Sequence, residues 1–230
     1  IKVIIPAREG SKGLLGKNLK ILIDKPLVDY SIITALEIFN PNSVILTSDS
    51  ELILERGKEY GIRNILRPEI LATDDSPIIE TILHTIDFVD IELNSECEAI
   101  ILMQPTFPIR KKAEIIDAIK IFEENNLSSL ISVNKMKEHP SECISIYENN
   151  FENWKFLLDP KNKSNRQSYE GKHYFINGNF YIAKVDALKK YRSFYFRNTY
   201  FFESKQNYNV DIDDIDDFNY AKYCLLNKNK

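Results

Sequence analysis

Apolar residues follow two rhythms along the first 135 or so positions of the chain. Short, almost continuous apolar runs at 2–6, 43–48, 63–66, 98–103 and 128–133 have the length and β-branched content of strands. Between them, at 27–39, 51–59, 77–89 and 111–124, apolar residues recur every three or four positions, as on one face of a helix. Ile78, Ile79, Ile82, Leu83 and Ile86 form such a stripe and read as core, with Pro77 suited to a first helical turn. The run AIILM, 99–103, has no polar position to offer solvent and reads as a central strand buried on both faces. Alternating strands and helices predict an α/β fold, a mainly parallel sheet flanked by helices.

After about residue 137 the texture changes. Aromatic, alternating segments at 143–158 and 174–184 read as antiparallel strands, 160–167 as a polar connection, and 214–226 as a final helix. Neither a repeat nor a linker interrupts the chain. The expected organisation is therefore one domain over 1–230 with an excursion at about 137–175.

The net charge of -4 over 230 residues argues against a nucleic-acid partner. No apolar run approaches the ~18 residues of a membrane span, and no signal-peptide pattern precedes the first strand, so the expectation is a soluble, cytoplasmic protein. Cys97, Cys143 and Cys224 are widely spaced with no C-x-x-C, which predicts free thiols. His84, His139 and His173 are scattered, which makes a histidine-ligated metal an improbable reading.

Cations gather where chemistry would use them. In IPAREGSKGLLGKN, Ile5 to Asn18, an apolar strand runs into a loop with Gly10, Gly13 and Gly16, three of the seven glycines in the chain. Glycines let backbone N–H groups turn toward an anion, and Arg8, Lys12 and Lys17 add charge, so the loop reads as a phosphate cradle. It is neither a P-loop, which would need Gly at 11 and Ser or Thr at 18, nor a G-x-G-x-x-G fingerprint. Near the other end stands VDIDDIDDF. Extended, it points Asp211 and Asp213 to one side, where two carboxylates could share a hard divalent cation. The same run could instead serve the last helix, with Asp213 or Asp214 as its cap and Asp216 and Asp217 in its first turn.

With these motifs the chain resembles the CMP-sugar synthetases, the acylneuraminate or nonulosonate cytidylyltransferases. Arg8, Ser11, Lys12, Gly13, Lys17 and Asn18 stand as in the family's AR-x-x-SKG-x-x-x-KN loop. TSDS (47–50), LRP (66–68), LMQPTFPIR (102–110), RQ (166–167), NGNFYI (177–182) and VDIDDIDDF (210–218) follow in family order, so the likeness spans almost the whole chain. It implies a Rossmann-like nucleotidyltransferase sheet and, in the excursion, an antiparallel arm that builds a homodimer and reaches the neighbouring site. It implies Arg8, Ser11, Lys12 and Lys17 around a triphosphate, Gly13 in the same loop, and Asn18 and Arg67 at cytosine or ribose. Asp211 and Asp213 would bind Mg2+, with Arg8, Lys17 and Asp211 in catalytic roles. Gln104, Arg166, Gln167, Asn177 and Tyr181 would bind the sugar.

The implied reaction is attack of the anomeric hydroxyl of a nine-carbon 2-keto sugar acid on the α-phosphorus of CTP, giving CMP-sugar and pyrophosphate. A metal-bound hydroxide or an aspartate would take the proton. Departures from the family pattern bear on the sugar. Some sialic acid enzymes carry a lysine after the His-Pro matched by His139 and Pro140, where this chain has Ser141 and Glu142. They also often carry a basic residue before the Asn-Gly, where it has Phe175 and Ile176. These substitutions make a deoxygenated relative such as legionaminic acid a plausible substrate beside sialic acid. The alternatives are a Kdo cytidylyltransferase, whose Q-G-D-E-P pattern is replaced here by QPTFP, and a non-catalytic nucleotide-binding dimer of the same fold.

Overall fold

A computed structural model describes residues 1–93, 97–147, 150–159 and 171–227, without the side chains of residues 92, 93 and 150. The chain begins with β1 (Lys2–Pro6), passes through the loop 7–16 and a small ribbon of β2 (Ile21–Leu22) and β3 (Lys25–Pro26), and enters α1 (Leu27–Leu36). Then follow β4 (Val44–Ser48), α2 (Glu51–Glu59), β5 (Arg63–Leu66), α3 (Ile78–Leu93), β6 (Ala99–Leu102), α4 (Lys112–Glu124) and β7 (Ser129–Lys135). The remainder comprises the hairpin β8 (Ile144–Tyr147) and β9 (Asn150–Phe156), then β10 (Tyr174–Lys184), α5 (Val185–Tyr191), β11 (Tyr200–Glu203) and α6 (Ile215–Leu226).

The main sheet has seven strands in the order β11-β7-β10-β6-β1-β4-β5. Only β10 runs against the rest, pairing antiparallel with both β6 and β7. Side-chain alternation divides the core into two layers. Val3, Ile5, Leu46 and Ile101 pack with Val28 and Ile32 of α1, Ile53 of α2 and Phe122 of α4. Ile4, Ile45, Ile65 and Ile100 face Ile82 and Ile86 of α3 and Leu188 of α5. Both faces of the sheet are thus covered, which is why β4 and β6 carry continuous apolar runs.

The α/β expectation agrees with this architecture, and the differences are local. α1 ends at Leu36 rather than 39, because Asn40 precedes Pro41 and adopts the extended backbone that proline demands, capping a short turn at Pro41–Ser43. α3 runs on past 89 to Leu93. The β2–β3 ribbon, α5 and β11 were not foreseen. Each has too few residues, between two and seven, to show a periodicity. All three cysteines are free thiols, as expected.

β10 carries the irregularity that matters. Its pairing with β7 runs from Tyr174↔Lys135 to Ile176↔Val133, breaks, and resumes at Tyr181↔Ile131. Asn177, Gly178, Asn179 and Phe180 therefore face the single residue Ser132, whose hydroxyl lies 2.6 Å from Asn177 Oδ1 and accepts from Phe180 N at 3.0 Å. Gly178 takes a φ of +75°, and a Cβ there would stand 3.1 Å from Asp211 Oδ2. The bulge thus presses backbone against the acidic segment at a position that favours glycine.

Candidate active site

After β5 the chain crosses back through α3 and lays β6 on the other side of β1, so strand order reverses at β1. At such a switch point the loops leaving the carboxyl ends of the strands diverge and open a crevice. Here it is a cavity of about 450 Å³. Loop 7–18 forms one wall, Arg67 and residues 71–81 a second, Gln104–Thr106 a third, and Asp211 with Asp213 a fourth.

Loop and acidic segment are fastened together. A Cβ on Gly13 would fall well inside contact of the Asp213 carbonyl, so only glycine fits without a shift. Lys17, itself buried, donates to the Ile212 carbonyl at 2.6 Å and lies 3.5 Å from Asp213 Oδ1. From the other side, Ile212 N donates to the Thr106 carbonyl at 2.8 Å. The two roles the sequence left open for the acidic run are divided among different residues. Asp214 caps α6, accepting from Asp216 N and Asp217 N at 2.9 Å, and Asp217 reciprocates in a capping box. Asp211 and Asp213 remain on the cavity wall.

Asp211 lines the cavity and is exposed there to solvent. Desolvation raises its carboxyl above the ordinary range, and repulsion from Asp213 adds to this; a hydrogen bond from Thr106 and the charges of Lys17 and Arg110 act the other way. Across the cavity, Arg8 Nη1 and Lys12 Nζ hold the two oxygens of Asp74 at 2.7 and 2.8 Å. These bonds keep the Asp74 carboxyl below its usual range, Lys12 more than Arg8.

Two buried side chains of the cavity lining keep polar atoms with no partner among the described residues. Asn18 donates from Nδ2 to the Arg8 carbonyl at 2.7 Å, which leaves Oδ1 free to accept. Arg67 donates from Nη1 to Thr81 Oγ1 at 3.1 Å and lies 3.7 Å from Asp49 Oδ1, which leaves its Nε–H free. Burial pulls Arg67 below the ordinary arginine range, with Asp49 opposing. Unmet donors and acceptors on a cavity wall are what a polar heterocycle would satisfy.

Ten of the residues expected from sequence line this cavity: Arg8, Ser11, Lys12, Gly13, Lys17, Asn18, Arg67, Gln104, Asp211 and Asp213. Asn177 and Tyr181 are placed elsewhere. Asn177 is buried in the bulge, its Nδ2 bonded to Asn134 Oδ1 and its Oδ1 to Ser132 and Asn179 N, so its amide is used by the fold. Tyr181 lies half-buried against the rings of Phe194 and Tyr195, and burial raises its hydroxyl pKa. Arg166 and Gln167 fall outside the described residues. The sequence reading passed over Asp74, Asp49, Thr106 and Arg110, although Asp49, Thr106 and Arg110 lie within motifs it singled out.

A family model described as Cytidylyltransferase matches residues 2–227. The chain belongs to the cytidylyltransferase family. It is similar to the N-acylneuraminate cytidylyltransferase of Escherichia coli O18:K1:H7, 35% identical over all of this chain and 53% of that one. It is 33% identical to the CMP-N,N'-diacetyllegionaminic acid synthase of Legionella pneumophila over 85% of this chain and 82% of that one. The chain spans about half the length of the N-acylneuraminate relatives from E. coli and Streptococcus agalactiae. Among solved structures, the CMP:2-keto-3-deoxy-manno-octonic acid synthetase complexed with CTP superposes with a TM-score of 0.72, covering 99% of this chain and 98% of that one at 14% identity. At that identity the match bears on this family's fold. No helix among the described residues is long and apolar enough to cross a membrane.

Proposed function

We propose that this cytidylyltransferase couples CTP to a nine-carbon 2-keto sugar acid, sialic acid or a legionaminic-type relative, releasing pyrophosphate in the cytoplasm. One observation carries the reading: a single cavity joins the free Asn18 Oδ1 and Arg67 Nε–H to Arg8, Lys12 and Lys17 and then to Asp211 and Asp213. An acceptor and a donor in one cavity could answer the exocyclic amine and ring carbonyl of cytosine. The cations lie on the same wall for phosphates, and the acid pair is where phosphate and sugar would meet.

The donor set suits Mg2+. Two carboxylates on one wall, with no group of three or more His, Cys, Asp or Glu side chains among the described residues, fit an ion that completes its shell with substrate phosphates and water. Asp211 and Asp213 would hold it, and it would neutralise charge on the transferring phosphoryl group. Lys17, fixed by the Ile212 carbonyl, keeps a positive charge at the same place, while Arg8 and Lys12 exchange Asp74 for phosphate oxygens. Asp211, on the cavity wall beside Asp213, would be the carboxylate that accepts the proton of the attacking hydroxyl.

Sugar recognition is assigned to Gln104 on the cavity wall and, by family resemblance, to Arg166 and Gln167. Asn177 is proposed to shape that wall from behind and Tyr181 to flank it. A homodimer is part of the proposal. The β8–β9 hairpin pairs with no strand of the main sheet and exposes Ile144, Phe151, Trp154 and Phe156, a surface that a second copy would cover.

Pyrophosphate release, measured with each of the four nucleoside triphosphates against sialic, legionaminic and Kdo acids, tests the reading. CTP should exceed UTP by more than about tenfold, and nine-carbon acids should exceed Kdo. Asn18→Asp and Arg67→Met should each erode the preference for CTP. Equal rates with CTP and UTP, or a clear preference for Kdo, would overturn the proposal.

A further inference from the structure

Arg110, buried behind Gln104 of the cavity wall, is a cation that the proposed chemistry leaves unused. Its guanidinium is almost wholly enclosed and has no carboxylate within ion-pair distance among the described residues. It spends its donors on three separate elements. Nε donates to the Asn179 carbonyl in the β10 bulge at 2.9 Å, Nη1 to Ser31 Oγ on α1 at 2.9 Å, and Nη2 to the Gln104 carbonyl at 2.7 Å. The Phe107 ring lies 5.6 Å away, on the same loop. Burial brings its pKa down to about 9, which still leaves it charged at neutral pH.

We propose that Arg110 is a positioning residue, a buried fork that sets Gln104 and the β10 bulge together against Asp211; the inference rests on the reading above. Two lines of contact lead from it to the acid. One runs through Asn179 to Gly178, where an added Cβ would stand 3.1 Å from Asp211 Oδ2. The other runs through the loop that Arg110 closes onto Gln104, in which Thr106 bonds to the Asp211 side chain and accepts from Ile212 N. A buried guanidinium costs several kcal/mol in desolvation, and apolar packing would serve stability as well or better. Three acceptors lying in three directions need the planar fork of arginine, and a lysine in its place could satisfy only part of the set. None of the guanidinium's three hydrogen bonds goes to the proposed nucleotide wall, Arg8 to Asn18 and Arg67.

The test separates these halves. In Arg110→Met, kcat should fall about 100-fold and the KM for the sugar acid should rise, as expected when reacting groups shift by an ångström. The dissociation constant for CTP, measured by calorimetry, should change less than about threefold. Amide exchange should quicken at 104–107 and 177–180 and stay unchanged at 8–18. Should the methionine variant fail to fold, Arg110→Lys is read in its place, with the same split at about tenfold. Full activity in Arg110→Lys, or losses spread evenly over CTP affinity, melting temperature and exchange, would overturn the proposal. If the parent protein releases no pyrophosphate from CTP with any keto acid, the functional reading fails, and the exchange pattern alone then decides for or against Arg110.

Discussion

Two regions of the molecule, the cavity wall built by loop 7–18 with Arg67 and the outer face of β8 to β11, are finished to different degrees. On the nucleotide side nearly every group is tied down within one chain: Lys17 to Ile212, Asn18 to Arg8, Arg67 to Thr81 and Gly13 against Asp213. On the side of β8 to β11, large apolar side chains face outward, Phe151 at 79% exposure, Phe201 at 54% and Trp154 at 48%. The first region is preorganised for a ligand of fixed shape. The second exposes apolar rings that the proposed second copy would cover.

The sharpest break should come where the regions meet. Asp211→Asn and Asp213→Asn keep volume and remove charge, so each should lower magnesium-dependent turnover by at least about 100-fold. Stability should respond in the opposite sense at Asp211. Its carboxyl is held above the ordinary range, so the folded protein binds that proton more tightly than the unfolded chain does. The folded state therefore loses stability as pH rises from the ordinary carboxylate value through the raised one, and the loss persists above it. At pH 7 without added metal, Asp211→Asn should melt no lower than the parent protein. Normal turnover in both variants would remove the metal assignment, and a lower melting point would show that Asp211 is held by the fold rather than strained by it.

A medium effect is expected at the unfinished end. Trp154 packs edge-on against Phe156 at 5.1 Å on the exposed hairpin, and a carboxylate there would desolvate poorly against a second copy. Trp154→Glu should sediment as a monomer and raise the KM for the sugar acid about tenfold, while CTP affinity stays within about twofold. A monomeric variant with unaltered sugar kinetics would show that each copy completes its own site. A variant that remains dimeric would place the interface elsewhere.

The same asymmetry governs how much could be read from sequence. The nucleotide side was legible because its chemistry sits in contiguous motifs: a glycine loop with three cations, LRP, and an acidic run whose period of two aligns Asp211 with Asp213. The strands leading to it are continuous apolar runs covered on both faces, a strong one-dimensional signal. The sugar side depends on relations that spacing does not record. Asn177 entered through the family resemblance alone, and the bulge in which its amide bonds to Ser132, 45 residues away, leaves no mark in the spacing. Arg110 was visible as the end of a motif, but its three partners lie on elements 6, 69 and 79 residues distant. Asp74 drew no reading, since nothing in TDDS announces that it bridges Arg8 and Lys12.

That bridge gives the smallest effect, and it probes how complete the nucleotide side is. Asp74 offers Arg8 and Lys12 two oxygens in the way a phosphate would, and it holds both cations in place at 2.7 and 2.8 Å. Triphosphate entering the loop must displace it. The pairs are partly exposed, with Lys12 almost fully in solvent, so their contribution is modest and screened by salt. Asp74→Asn removes the competing charge, and both CTP and pyrophosphate should bind about two- to fivefold more tightly at low ionic strength. The gain should shrink toward unity at about 1 M salt, where the screening length is ~3 Å. Tighter pyrophosphate would also slow product release, so kcat should fall slightly as CTP affinity improves. Weaker CTP binding in Asp74→Asn would reverse the assignment: Asp74 would then be part of what orders the cations for substrate, and the loop would not be preorganised without it.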